Sequence, residues 1–196
     1  MNSDLIDTKK VLLIEAEKLV RSRGYSGFSY ADLENIVGIR KASIHYHYRT
    51  KEELVASVLE EYRDRYEKSF SSIEESRSDA IDRIDDYAKL YFDGIDRGLG
   101  CLCAVLSAEF DAVPDSLKTG VEAFFKRHHA WLADVYRDGL VKGTVSTELG
   151  ADEAAHLILS TLEGALLVEP WITGRDGFRI TVNALRKSLA PAPTVI

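Results

Sequence analysis

The sequence predicts an all-α protein of about nine helices, with a small N-terminal head on a larger helical body. Apolar residues recur at helical spacing along nearly all of the 196 residues, and no segment alternates as a β-strand would. Only four prolines occur, and two of them, Pro114 and Pro170, directly follow helical patterns. We therefore expect helices nearly throughout and no sheet.

The helix boundaries come from start and stop signals along the chain. Ser29 and Thr50 are suitable N-cap residues, while Gly38, Gly143 and Pro170 stand where helical patterns end. The predicted helices cover residues 11–23, 30–37, 40–46, 51–75, 79–97, 101–112, 115–142, 151–169 and 176–189.

Residues 29–54 contain the most informative pattern in the chain. Two short helix patterns are separated by a glycine, and a third helix follows at once. Ser29 with Asp32, and Thr50 with Glu53, have the spacing of capping boxes. Basic, aromatic and hydroxyl residues gather on the outward side of the second short helix. This arrangement is typical of a helix-turn-helix that presents a recognition helix to the DNA major groove.

The segment Thr8–Leu54 resembles the N-terminal domain of TetR-type transcriptional regulators. The resemblance is carried by an amphipathic first helix, the Gly24-Tyr25 turn and the helix-turn-helix. A Tyr/His patch at residues 45–48 and the Lys-x-x-Leu opening of the fourth helix complete it. It covers about the first quarter of the chain, and the remainder fits the family in length and helical pattern.

The chain departs from the family pattern at three positions, which we interpret as affecting operator choice. Arg40, Ala42 and His45 stand where a small hydroxyl residue, a glycine and a tyrosine are common. Lys41 and Ser43, together with Arg40, are predicted to reach base edges. The residues predicted to hold phosphates are Ser29, Tyr30, His45, Tyr46, His47 and Lys51.

The charge distribution favours DNA binding through the head alone. The whole chain has a formal net charge of −7, which argues against a general nucleic-acid binder. Residues 1–51 carry nine Lys or Arg and six Asp or Glu, whereas the rest carries sixteen against twenty-six. An acidic body would leave only the basic head facing a polyanion. Solvated helical faces produce similar imbalances, so charge supports the motif and does not replace it.

Composition also predicts the compartment. No apolar run is long enough to span a membrane, and the N-terminal residues show no signal-peptide pattern. The two cysteines are separated by one residue and form no disulfide framework. We expect a reducing cytoplasm, and a bacterial one if the resemblance holds.

The penultimate helix carries small residues at three- and four-residue spacing, with apolar residues beside them. This stripe comprises Leu157, Ser160, Thr161, Gly164, Ala165 and Val168. Glycine within a helix costs up to about 1 kcal/mol relative to alanine, so Gly164 indicates close packing. Packing inside the chain would also explain it. The resemblance favours a homodimer, because TetR-type regulators usually dimerise through their last two helices.

The resemblance implies an effector pocket, since helices five to eight of TetR-type regulators usually enclose one. Aromatic, thiol and imidazole side chains there would form a mostly apolar lining with a few polar groups. The candidates are Tyr87, Tyr91, Phe92, Cys101, Cys103, Phe110, Phe124, His128, Trp131 and His156. Ordinary core packing is the competing interpretation for each aromatic residue.

The Gly-Cys-Leu-Cys run at residues 100–103 provides an alternative function. It lies near a predicted helix start, where N–H groups and the helix dipole can lower a thiol pKa. It resembles TetR-type regulators that respond to electrophiles or small unsaturated acids, and Cys101–Pro114 resembles regulators of acrylate-type metabolism. A thiol-based electrophile or redox sensor acting through Cys101 is therefore the alternative. Buried packing of a cysteine as a small hydrophobic residue competes with it.

The sequence has no clear pattern for metal binding or for enzymatic activity. Cys-x-Cys with His128, His129 or His156 lacks the spacing of a structural zinc site, so we predict no metal and no cofactor. Phosphate loops, nucleophile elbows and His-Glu-x-x-His motifs are absent from the sequence, so we predict no enzymatic activity. A helical enzyme and a helical dimer that does not bind DNA remain the alternatives of a different class.

The combined prediction is a ligand-responsive transcriptional repressor. Residues 1–52 form the DNA-binding head, residues 53–190 form the ligand-binding and dimerisation body, and residues 191–196 form a flexible tail. A small-molecule effector shifts a two-state population, places the two heads at the wrong separation and releases a near-palindromic double-stranded operator.

Overall fold

Helices form nearly all of the protein, as predicted. The computed structural model describes the backbone of residues 2–191 and the side chains of residues 8–191, which include no β-strand. The α-helices of this range are α1 (Asn2–Arg23), α2 (Tyr30–Val37), α3 (Lys41–His47), α4 (Lys51–Ser76), α5 (Ala80–Lys89), α6 (Phe92–Arg97), α7 (Leu102–Ala108), α8 (Asp115–Lys142), α9 (Ala151–Val168) and α10 (Arg175–Leu189). A 3-10 helix, Glu169–Trp171, follows α9. The predicted all-α class is confirmed. The predicted tail lies almost wholly outside the described residues.

The single helix predicted at residues 79–97 is interrupted and forms α5 and α6. The N–H groups of Leu90 and Tyr91 donate to the carbonyls of Tyr87 and Ala88, three residues back instead of four. This tighter turn ends α5, and the chain becomes helical again at α6. When α5 and α6 are counted as one interrupted helix, the described part of the chain has the predicted nine.

Two other predicted boundaries also differ by several residues. Helix α1 starts at Asn2 and not at Val11. Helix α7 ends at Ala108, because Glu109 leaves the helical conformation at φ −108° and ψ 37°. The N–H groups of Ala112 and Val113 then donate to the Glu109 carbonyl, which forms a turn before α8. The remaining boundaries agree within one residue.

The helices form two compact units. The first contains the chain up to Arg65 together with Leu99–Phe124. The second contains Tyr66–Gly98 and the chain from Phe125 onward. The functional division predicted at residue 52 is a different kind of boundary and stays a prediction.

In the first unit, α1 packs against α2 and α7, and α2 packs against α3. Leu12, Leu33 and Ile44 have no exposed surface in this core. Gly24 ends α1 with a φ of +82°, and a Cβ there would collide with the carboxylate of Glu109. Glycine is therefore required at the first turn of the head.

In the second unit, α10 packs against α9, α5 and α6. Tyr87, Tyr136 and Phe178 have no exposed surface. The Tyr136 hydroxyl donates to the Ser146 carbonyl at 2.8 Å, which satisfies a polar atom inside an apolar core. Across the described residues, no helix combines the length and the hydropathy that crossing a membrane requires.

Candidate nucleic-acid interface and effector-binding residues

The start of α2 is fixed by the carboxylate of Asp32. It accepts hydrogen bonds from the backbone N–H and the hydroxyl of Ser29, each at 2.7 Å. These bonds hold the pKa of Asp32 below its usual range. At the other end, Gly38 adopts φ +74° and donates its N–H to the Glu34 carbonyl. The predicted capping box and the predicted glycine terminus are both confirmed.

The start of α3 is capped from α2. Arg40 occupies the N-cap position, but its side chain makes no capping hydrogen bond. Glu34 Oε1 instead accepts the backbone N–H of Lys41 at 3.1 Å. The carboxylate thus stabilises the helix start electrostatically and fixes α3 relative to α2. The seven-residue separation of Glu34 and Lys41 matches no local capping motif.

One side of α3 is buried and the other faces outward. Ile44 has no exposed surface and anchors the helix to the head. The exposed residues include the predicted contact residues Arg40, Lys41, Ser43, His45 and Tyr46. They offer guanidinium, ammonium, hydroxyl, imidazole and phenol groups from one short helix. Such a surface can donate hydrogen bonds to base edges and to phosphates.

Two predicted phosphate contacts, Tyr30 and His45, also have partners inside the head. Tyr30 is buried, and its hydroxyl donates to the Tyr48 carbonyl at 2.9 Å. Burial, with the nearby Glu53 carboxylate, raises the pKa of Tyr30 to about 12. The His45 ring lies 4.7 Å from the Tyr30 ring, and its Nδ1 lies 3.1 Å from the Arg49 carbonyl. Their contacts with phosphate stay predictions.

Lys51 joins the start of α4 to the segment before α2. Its ammonium donates to the Phe28 carbonyl at 2.5 Å and lies 4.3 Å and 4.6 Å from the ring centres of Phe28 and Tyr25. Burial lowers the pKa of Lys51. The residue therefore has a structural role beside its predicted phosphate contact.

The turn between α3 and α4 contains a further candidate contact residue, Arg49, which was not predicted from the sequence. The Glu53 N–H donates to the Thr50 hydroxyl oxygen at 3.1 Å, as the predicted capping box requires. The Glu53 carboxylate, however, accepts the N–H of Arg49 at 2.9 Å and not that of Thr50. The Arg49 side chain is exposed shortly after the end of α3. We add Arg49 to the candidate phosphate contacts. Its basic side chain, close to α3 in the sequence, could have predicted this.

Within the first unit, residues on both sides of α7 are bonded to the end of α1 and the turn after it. The Arg21 Nε donates to the Gly100 carbonyl at 2.7 Å, and the Gly100 N–H donates to the Arg21 carbonyl at 3.2 Å. The Glu109 carboxylate accepts the Ser26 N–H at 2.9 Å. Burial acts to raise the pKa of Glu109, but the bonds from Ser26 bring it below the usual range. A displacement of α7 would therefore act directly on the head.

The predicted effector residues are divided between the two units. Those of the first unit are Cys101, Cys103, Phe110 and Phe124. Both thiols are buried, which favours their interpretation as packing residues. Phe110 is 63% exposed, with the Lys118 ammonium 4.4 Å from its ring centre. The thiol-sensor alternative stays a prediction.

Four of the six candidates in the second unit meet in one buried cluster. This aromatic–histidine cluster comprises Tyr66, Phe70, Tyr87, Tyr91, His128 and Trp131. Phe70 and Trp131 are stacked, with ring centres 4.6 Å apart and an interplanar angle of 10°. Tyr66 and Phe70 were not among the predicted effector residues, although their four-residue spacing on α4 places both on one helix face.

A chain of hydrogen-bonding groups passes through this aromatic–histidine cluster. The Tyr87 hydroxyl lies 2.7 Å from His128 Nδ1 and 3.1 Å from the Tyr91 hydroxyl. The Tyr91 hydroxyl in turn donates to Glu163 at 3.1 Å. A few polar groups among aromatic rings are found in small-molecule sites, and closely packed rings with satisfied hydroxyls are also found in ordinary protein cores. The other two candidates lie elsewhere, because the Phe92 ring packs 5.1 Å from Phe178 and His156 is exposed.

The burial of His128 predicts an acid-sensitive fold. Desolvation, with the Arg127 charge nearby, lowers the pKa of His128 to about 3. Below the ordinary histidine pKa of about 6.5, the unfolded chain takes up a proton that the folded chain does not. The free energy of unfolding should therefore decrease by up to about 1.4 kcal/mol per pH unit between about pH 6.5 and pH 3.

Urea unfolding at several values between pH 7 and pH 5 measures this effect. His128→Gln should flatten the pH dependence, since the buried imidazole is gone. His45→Gln, at an exposed histidine of α3, is the matched control and should follow the wild-type profile. Equal pH dependence in the wild type and His128→Gln would contradict the prediction.

Most of the small-residue stripe on α9 is unpartnered within the protomer. Leu157, Ser160, Gly164 and Val168 are exposed, Thr161 is partly buried, and only Ala165 is buried. A Cβ added at Gly164 would meet no atom within 4 Å. Packing inside the chain therefore does not explain this glycine, whereas an approaching second helix would.

Further apolar side chains extend the exposed surface of α9 toward α10. Trp171 is 88% exposed, and Leu167, Ile172 and Ile180 are each more than 60% exposed. Clusters of large apolar side chains on a surface mark interaction sites. These four residues were not predicted from the sequence, because a single apolar residue in a helical pattern does not reveal whether it faces a core.

Two family models match the chain in its two parts. The model described as "Bacterial regulatory proteins, tetR family" matches residues 12–58. The model described as "Tetracyclin repressor-like, C-terminal domain" matches residues 80–169. The first match contains the whole helix-turn-helix, and the second extends from α5 through α9.

Relatives and a solved structure match over most of the chain. The HTH-type transcriptional repressor DhaR of Mycobacterium sp. (strain GP1) is 24% identical over 157 residues, which are 80% of this chain and 79% of that protein. The HTH-type transcriptional regulator CymR of Pseudomonas putida is 24% identical over 183 residues, which are 91% of this chain and 87% of CymR. The crystal structure of a TetR family transcriptional regulator from Agrobacterium tumefaciens is 28% identical and superimposes with a TM-score of 0.89, covering 95% of this chain and 99% of that one.

Proposed function

We propose that this chain, which belongs to the TetR family of transcriptional regulators, is a ligand-responsive repressor that binds a near-palindromic operator as a homodimer in the bacterial cytoplasm. The outward face of α3 carries the proposal, because exposed basic and hydroxyl side chains lie on a short helix held by Ile44 and Glu34. The family consists of regulators and not of enzymes.

Recognition of the operator base sequence is assigned to the first half of α3. Lys41 and Ser43, with Arg40, reach base edges in the major groove. There the long Lys and Arg side chains donate preferentially to guanine, whereas a serine hydroxyl can hydrogen-bond to more than one base. Phosphate contacts come from Ser29, Tyr30, His45, Tyr46, His47 and Lys51, with Arg49 added. These contacts position the head and carry no sequence information of their own.

Dimerisation is assigned to the exposed stripe of α9, with α10 beside it. The four-helix arrangement of two protomers would cover Leu157, Gly164, Val168 and Trp171, which are exposed in a single chain. Two recognition helices would then lie about 34–36 Å apart, one turn of DNA. A near-palindromic operator follows from this two-fold symmetry.

Effector binding is assigned to the aromatic–histidine cluster, where Tyr87 and His128 supply the polar groups. An effector that favours one conformation of the body shifts the population toward it. The bonds of Gly100 and Glu109 with the end of α1 and the turn after it offer a route to the head. DNA is released when the two heads no longer match the operator spacing.

Fluorescence anisotropy tests the proposal directly. Purified protein is titrated onto the DNA upstream of its own gene and onto scrambled DNA, at two salt concentrations. We expect at least about 10³-fold preference for the upstream DNA. Affinity should fall steeply with salt, because each phosphate contact contributes about −0.9 to the slope of log affinity against log salt.

Absence of preference in this assay would be followed by selection from fragmented genomic DNA. If effector-free protein enriches no sequence from the genomic fragments, the proposal that α3 recognises a DNA sequence is contradicted. Success would identify the operator and supply the assay for effector screening, beginning with acrylate-like acids and thiol-reactive compounds.

A further inference from the structure

Three potential metal ligands outside the proposed DNA and effector sites lie together at His129, Asp152 and His156. We propose that they bind a divalent transition metal ion of zinc-like chemistry and link α8 to α9. Asp152 and His156 are one helical turn apart on α9, and His129 comes from α8. One ligand atom from each residue lies within 4.8 Å of the other two.

The distances among these atoms are close to those of a coordinated ion. His129 Nε2 lies 3.5 Å from Asp152 Oδ1, and His156 Nε2 lies 4.0 Å from Asp152 Oδ2. Two ligands of a tetrahedral zinc ion are about 3.4 Å apart, because the bonds to nitrogen and oxygen are about 2.0–2.2 Å long. Small rotations of the exposed Asp152 and His156 side chains would therefore close the site.

The buried nitrogen of His129 is the second observation that points to a ligand. Nε2 has almost no exposed surface and makes no hydrogen bond with the described residues, although the side chain as a whole is 22% exposed. Buried polar atoms are nearly always satisfied in native proteins. The two imidazole rings lie 4.2 Å apart between centres. A metal ion between them would satisfy both rings and Asp152 together.

The ligand types indicate which ions would bind. Two imidazoles and one carboxylate suit zinc, nickel or copper, whereas magnesium and calcium prefer oxygen ligands alone. Three protein ligands leave a fourth position for water or another donor. A bound ion would join the consecutive helices α8 and α9 and stabilise the second compact unit.

The sequence pattern predicted no metal site, because the cysteines were the candidate ligands and lack zinc-site spacing. Cys101 and Cys103 belong to the first compact unit, whereas His129, Asp152 and His156 belong to the second. Asp152 and His156 share a helix face, but their spacing alone is common in helices. Only the packing of the chain brings His129 to them. This site is independent of the DNA-binding proposal.

The test uses tag-free, full-length protein that has been freed of metal with a chelator. Calorimetric titration with Zn²⁺ should give one ion per chain. At a free Zn²⁺ concentration about a hundred times the Kd, the thermal midpoint should rise by about 5 °C or more. His156→Gln and Asp152→Asn should each weaken binding at least about tenfold. The matched controls, His45→Gln and Asp134→Asn, should bind Zn²⁺ as the wild type does.

Two results would overturn the proposal. One is unchanged Zn²⁺ affinity in both site variants. The other is a thiolate-to-metal band in the Co²⁺ absorption spectrum, since it would place the ion on Cys101 or Cys103. His156 and Asp152 are exposed, so circular dichroism of the variants should match the wild type and exclude misfolding as the cause of lost binding.

Discussion

Gly164→Arg is expected to convert the proposed homodimer into a monomer and to weaken operator binding by at least about 10²-fold. A Cβ at Gly164 would meet no atom within 4 Å, so the long side chain fits the isolated protomer. The same side chain would place bulk and charge where a second α9 approaches. Loss of the dimer removes the simultaneous binding of two half-sites, which multiplies the affinity of one head.

Sedimentation and anisotropy on the identified operator measure the two parts of this prediction. Gly164→Ala is the matched control, because it adds a small side chain and should keep both the dimer and operator affinity. Ser72→Arg adds the same charge at an exposed position of α4 and controls for electrostatic attraction to DNA. A Gly164→Arg protein that remains a dimer with wild-type operator affinity would remove this stripe from the interface.

Lys41→Ala is expected to lower operator affinity about 5- to 100-fold while changing scrambled-DNA affinity by much less. Its side chain is exposed at the start of α3, whereas the bond to Glu34 uses its backbone N–H. The substitution therefore removes the long donor and leaves the helix cap in place. A base-edge contact is lost only where the matching base is present, so specificity should fall more than general affinity.

Anisotropy with operator and scrambled DNA at one salt concentration measures this difference. Lys68→Ala is the matched control, because Lys68 is an exposed lysine of α4 beyond the head. It should leave both affinities close to the wild-type values. If Lys41→Ala lowers the affinities for operator and scrambled DNA equally, Lys41 contacts phosphate and does not read bases.

Local sequence signals were sufficient to predict the two ends of α2 and the outward side of α3. The Ser29–Asp32 capping box and the Gly38 terminus are interactions between residues that are close in sequence, so their spacing predicted them. The outward position of Lys41 and Ser43 followed from the burial of Ile44 on the same short helix. Helical periodicity similarly predicted the all-α class, since it depends only on where apolar residues recur.

Interruptions and long-range contacts required the folded chain. The turn between α5 and α6 has no proline or glycine at Leu90 and Tyr91, so no local signal predicted it. The cap of α3 by Glu34 crosses from one helix to the next. The ten candidate effector residues were chosen by type, and only packing separated buried His128 from exposed Phe110 and His156.

The sequence by itself determined most of the helix positions, the cap of α2, the outward face of α3 and the family resemblance, because each depends on neighbours within about two helical turns. Tertiary structure alone decided that a Cβ at Gly164 would meet no atom within 4 Å, that Tyr87 and His128 share a hydrogen bond, and that His129 meets α9. These facts depend on which helices pack together. Periodicity predicts that a helix has an apolar face, but it does not specify the neighbour that covers that face.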